Sequence, residues 1–107
     1  MGYRKNKQAE PLKVITKDTI PTTPEEAIQV LDVMLPEEDQ EYLRTEKNAA
    51  SKCHHTLGRW IRNNWGLWAE EKTPLKSYFI ERGIEHPDDM SGAILDAYVE
   101  YLKHNEQ

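Results

Sequence analysis

The sequence predicts an all-α fold, a compact bundle of four to five short helices over residues 20–107, preceded by an extended N-terminal arm over residues 1–19. Three observations carry this. Helix starts recur in recognisable form, as Thr23-Pro24-Glu25-Glu26, Pro36-Glu37-Glu38-Asp39, Thr73-Pro74 and Pro87-Asp88-Asp89. Between them apolar residues return every three or four positions, the period of a helix that buries one face. Only Leu12-Lys13-Val14-Ile15-Thr16 alternates with period two, and without a partner strand it reads as an arm.

The first helix starts at Pro24 because Thr23 offers a side-chain oxygen to orphan amides, proline suits the first helical position, and Glu26 completes a capping box. It carries Ala27, Ile28, Leu31, Met34 and Leu35, and Pro36 stops it. Pro36 also opens a short second helix, whose first-turn acids meet the positive end of the dipole. Tyr42 and Leu43 are expected to pack inward from it. A third helix is expected from Glu46–Ala49 to Asn64, with Ala50, Cys53, His54, Leu57, Trp60, Ile61 and Asn64 on its inner face. Gly58 in its middle implies a close helix crossing, and Gly66 a left-handed stop. The fourth helix follows Thr73-Pro74, carries Leu75, Tyr78 and Phe79, and ends at Gly83. The last begins near Pro87 and turns Met90, Ile94, Ala97, Tyr98, Tyr101 and Leu102 to the core. Leu31, Leu57, Trp60, Ile61, Phe79, Ile94 and Tyr98 are expected to form one core.

At 107 residues the chain has room for one domain. One cysteine, Cys53, excludes an intramolecular disulfide, and no Cys/His spacing matches structural zinc. With no apolar leader and no run of membrane-spanning length, the protein is expected to be cytoplasmic and off the membrane. Residues 1–18 hold five cations against two acids, so the formal total of −5 leaves −8 for residues 19–107. That surplus argues against phosphate-backbone binding, except through the basic arm.

Residues 53–68 concentrate the chemistry. They hold all three tryptophans with His54, His55, Arg59, Arg62, Asn63 and Asn64. Histidine suits metal ligation or base catalysis. Neighbouring residues on a helix point about 100° apart, however, so His54 and His55 cannot converge on one ion. His54 equally reads as a satisfied core histidine. His86-Pro87-Asp88-Asp89 resembles an acid cluster, yet capping of the last helix explains both carboxylates. Arg59 and Arg62, with Asn63 beside them and Arg44 elsewhere, suit an anion pocket or pairing to neighbouring acids. These groups define a candidate polar cluster of His54, His55, Arg59, Arg62, Asn63, Asn64, His86, Asp88 and Asp89. One histidine with Arg62 and an asparagine is expected to meet the His86–Asp89 turn. Trp65, Leu67 and Trp68 form a candidate interface, because tryptophan is enriched among binding hot spots; roofing the core is the other reading. No signature of a catalytic residue set, metal site or cofactor is present.

The block His54 to Trp68, followed by Gly83-Ile84-Glu85-His86-Pro87-Asp88-Asp89-Met90 and preceded by the Pro24-Glu25-Glu26-Ala27 helix, resembles a family of small bacterial proteins known as a domain of unknown function. The resemblance covers residues 20 to about 102 and implies no activity. Relatives resembling immunity or inhibitor proteins imply a protein partner. The sequence therefore points to a helical binding module acting as an inhibitor, immunity factor or adaptor. An enzyme or small-ligand binder using the His/Arg/Asp cluster is the alternative.

Overall fold

The computed structural model describes residues 14–105, which form six helices and no strand among those residues. They are α1 (Pro24–Met34), α2 (Glu37–Thr45), α3 (Ala49–Lys52), α4 (Leu57–Asn64), α5 (Pro74–Glu81) and α6 (Pro87–His104). Residues 1–13 of the expected arm lie outside the described residues. Of the remainder, Ile15 packs half-buried against the core, and the Thr16 amide donates to Thr19 Oγ1 at 2.9 Å.

Helix α1 begins as its cap dictates. Thr23 Oγ1 accepts the Glu26 amide at 3.1 Å, and Glu26 Oε1 accepts the amide and hydroxyl of Thr22 at 2.8 and 2.9 Å. Pro36 ends it and leads into α2. Gln40 then reaches back, its Nε2 donating to the carbonyls of Asp32 and Leu35 at 3.1 and 3.0 Å, which satisfies orphan acceptors at the end of α1. Of the two residues expected to pack inward from α2, Leu43 is buried. Tyr42 is instead 43% exposed.

The long third helix is two helices. The Cys53 carbonyl accepts the amides of Thr56 and Gly58 at 3.2 and 2.8 Å and the Thr56 hydroxyl at 3.3 Å. Three donors on one oxygen pull the chain out of the helical path, and Thr56 at ψ −88° lets it restart at Leu57. The restart rotates the buried face. Gly58, Ile61, Arg62 and Trp65 now point inward at spacings of three and four, while Trp60 is 36% exposed and Asn64 lies in solvent. Leu57 is half-buried against the core, and Trp60 stands edge-on to Trp65, at 5.7 Å between ring centres.

Glycine ends two helices by the same device. Gly66 at φ +74° lets the Leu67 amide reach the Arg62 carbonyl at 3.3 Å. Gly83 at φ +86° lets the Ile84 amide reach the Phe79 carbonyl at 2.9 Å. Both are six-to-one closures that tuck the following apolar residue under the helix end. Thr73 caps α5 by accepting the Lys76 amide at 3.2 Å.

Helix α6 is the spine. It packs on α1, α2, α3 and α4. Met90, Ser91, Ile94, Leu95, Tyr98 and Leu102 are its buried residues, joining Leu31, Ile61, Leu75 and Phe79 in one core. Tyr98 is fully buried and donates to Asp32 Oδ1 at 3.1 Å; the Tyr101 hydroxyl faces the other oxygen at 3.5 Å. Burial first, then the Asp32 charge, pushes the Tyr98 phenol well above its ordinary value. A group whose folded pKa is raised contributes stability below its unfolded value, about 10 for tyrosine, and loses it as the pH rises further. The urea midpoint is therefore expected to fall above about pH 10. Tyr98→Phe should flatten that slope, and a slope unchanged by the substitution would assign it to other groups.

Candidate functional site

The polar residues singled out in the sequence divide into a connected set and a scattered one. Arg62, His54, Asp88 and Ser91 meet where α4 crosses the start of α6. The Arg62 side chain is 6% exposed, and its Nε lies 3.3 Å from Asp88 Oδ1, close enough for an ion pair but off the hydrogen-bond direction. Its Nη1 donates to Ser91 Oγ at 2.8 Å and its Nη2 to the His54 carbonyl at 3.3 Å. Ser91 in turn donates to the Asp88 carbonyl at 3.1 Å. His54 Nε2 stands 3.7 Å from Asp88 Oδ2. Gly58 leaves room beside this network, since a Cβ there would sit 3.1 Å from Arg62 Nη1 and press on it by a few tenths of an ångström.

His86 is the N-cap of α6, its Nδ1 accepting the Asp88 amide at 3.0 Å. Capping was expected of the two aspartates; the imidazole does it, and Asp88 is released to face Arg62. Asp89, Arg59, Asn63 and His55 are exposed. His55 touches the cluster only through the edge of its ring against His54, at 4.8 Å between ring centres. Asn64 bonds the Trp60 carbonyl at 2.8 Å, so neither asparagine joins the Arg62 network. Among the described residues no three His, Cys, Asp or Glu side chains converge as metal ligands do. A hollow of about 330 Å³ beside His54 and His55 is bordered by Ser51 and Asp96, and neither Arg62 nor Asp88 lines it.

The tryptophan connector is also redistributed. Trp65 is 2% exposed and Leu67 fully buried, so both belong to the core and leave the candidate interface. The Leu67 amide closing on Arg62 is what turns the connector inward. Trp68 stays 52% exposed, edge-on to His86 at 6.1 Å between ring centres.

Sequence reasoning missed a groove of about 620 Å³ where the end of α1, α2 and the start of α4 meet. Met34, Leu35, Leu43, Cys53 and Leu57 make its apolar floor. Tyr42 and Trp60 flank it, and Lys17, Asp18, Asp39 and Thr56, all exposed, stand at its edge. Burial raises the Cys53 thiol pKa, partly offset by Thr56, and the Asp39 charge adds to the rise. The protonated thiol therefore behaves as a small apolar lining group. No local residue pattern announces this site, because it depends on the break at residues 53–56, which turns Trp60 from the core to the groove.

No helix among the described residues is long and apolar enough to cross a membrane. No curated protein and no solved structure matches the chain. A family model described as the domain of unknown function DUF6794 matches residues 20–102, spanning all six helices up to Leu102 in α6. The chain belongs to the DUF6794 family.

Proposed function

We propose that this chain is a small bacterial, cytoplasmic binding module that engages another protein, as an inhibitor, immunity factor or adaptor. One observation carries the reading: two large aromatic side chains, Tyr42 and Trp60, stand exposed in the lining of a mainly apolar groove whose charged residues are all exposed. An apolar centre within a polar rim is the anatomy of a protein interface, and aromatic residues are its usual anchors. A small-molecule site instead converges polar groups inside the cavity to fix orientation. The Arg62 network supports a structural role for the His/Arg/Asp cluster, because its guanidinium is occupied by Ser91, Asp88 and the His54 carbonyl.

The test is site-specific crosslinking in the native host. A photoreactive residue at Trp60 is expected to trap a defined protein, and one at Glu100, on the exposed side of α6, is not. Tyr42→Ala should abolish the Trp60 product while lowering the unfolding free energy by no more than about 1–2 kcal/mol, so that the variant stays folded. Equal products at Trp60 and Glu100, or none at either, would remove the reading.

A further inference from the structure

We propose that the occupant of the groove is a short segment of a partner protein that carries large apolar side chains flanked by lysine or arginine. The assignment rests on the binding reading above and adds the partner's charge to it. Asp18 and Asp39 line the edge. Glu38 and Asp39 lie one helical turn before Tyr42, which places their carboxylates beside its ring on the same side of α2. Among the described residues no ion pair holds Asp18, Glu37, Glu38 or Asp39, whereas the cations of α2 and α3, Arg44 and Lys52, are paired with Glu41 and Glu46. Among the described residues these acids thus have no ion-pair partner. Lys17 also lines the groove and answers one of them. The positive end of α2 offsets about half a charge more, which still leaves a surplus of carboxylate.

The floor residues Met34, Leu35, Leu43 and Leu57 offer apolar surface, so apolar side chains suit it while charged ones stay at the margin. Asp39 at this margin and Cys53 on the floor line the same groove. Electrostatic complementarity of this kind discriminates between partners more than it adds raw affinity, and it weakens as salt rises.

Three synthetic helical peptides test it against the full-length chain. All share one stripe of leucines at helical spacing and differ only in having Lys, Gln or Glu at the flanking positions. Binding is read by tryptophan emission and by shifts of the Tyr42, Leu57 and Trp60 amide signals. The Lys peptide is expected to bind about tenfold tighter than the Gln peptide, and the Glu peptide weaker still. Asp39→Lys should erase that order, with an otherwise unchanged amide spectrum showing that the variant is folded. If all three peptides shift the groove amides with equal affinity, the charge assignment fails and the groove reading stands. If none shifts them, both fail. Lys-peptide binding that survives Tyr42→Ala unchanged would mark adhesion elsewhere on the surface and overturn the proposal. So would about tenfold tighter binding after Arg4, Lys5, Lys7 and Lys13 are together replaced by Gln, because the chain's own leading segment would then be the occupant. Concentration-dependent dimerisation that shifts the same amides would give the groove to a second copy and overturn it equally.

Discussion

Trp65→Ala is expected to be the most damaging of the three tryptophan substitutions, at about 3–5 kcal/mol, the range for deleting a large aromatic side chain from a core. Trp65 is 2% exposed, follows the last turn of α4, and supports the edge of Trp60. Trp60→Ala removes a ring already 36% in solvent and is expected to cost about half as much or less, since only its packed edge contributes burial. Trp68→Ala, at 52% exposure, should stay within about 0.5 kcal/mol. Urea denaturation of the three variants ranks them directly. A Trp60 loss equal to that of Trp65 would restore one continuous helix through residues 49–64, with Trp60 on its inner face.

The second large effect is asymmetric. Asp88→Asn is expected to cost about 2–3 kcal/mol, below the 3–5 kcal/mol of a fully enclosed pair because the Asp88 side chain is 42% exposed. The cost arises in the partner, whose guanidinium stays buried with Ser91 and the His54 carbonyl but without a counter-charge. Arg62→Met removes the buried charge itself and leaves a carboxylate that water can solvate, so its loss should be smaller. The double variant should resemble Arg62→Met alone, since neighbouring groups do not add. Asp89→Asn, one residue on and exposed, controls for the helix dipole and should fall within about 0.5 kcal/mol. An Arg62→Met variant less stable than Asp88→Asn would mean that the pair, and not the stranded cation, dominates.

What the sequence made legible were the features written in local chemistry. Thr23-Pro24 and Thr73-Pro74 mark helix starts, and Gly66 and Gly83 mark stops, because each solves a backbone problem within four or five residues. The break at Cys53–Thr56 has no glycine or proline to announce it. It is made by three donors converging on one carbonyl, an arrangement that exists only once the chain is folded. Missing it rotated the face of α4, which put Trp60 inside and hid both the groove and the depth of Trp65. In the polar cluster, His54, Arg62 and Asp88 were visible as residue types, but Ser91 was not. Its hydroxyl matters because the guanidinium beneath Gly58 needs a nearby acceptor.

The place of α6 has a consequence for how the chain comes to be folded. Every helix from α1 to α4 buries its apolar face against a helix that is made after them. At ribosomal speeds of about 5–20 residues per second, the Leu31 face of α1 waits roughly 3–10 s before Pro87 is even joined. During that interval the nascent segment holds helical pieces without a common core, and isolated helices of 8 to 11 residues are marginal in water. Folding is therefore expected as one late, cooperative event in which ordering of the C-terminal helix gathers the others. A ribosome-bound chain arrested before residue 87 should show the protease sensitivity of an unfolded polymer, and one extended far enough to release residues 87–104 should not.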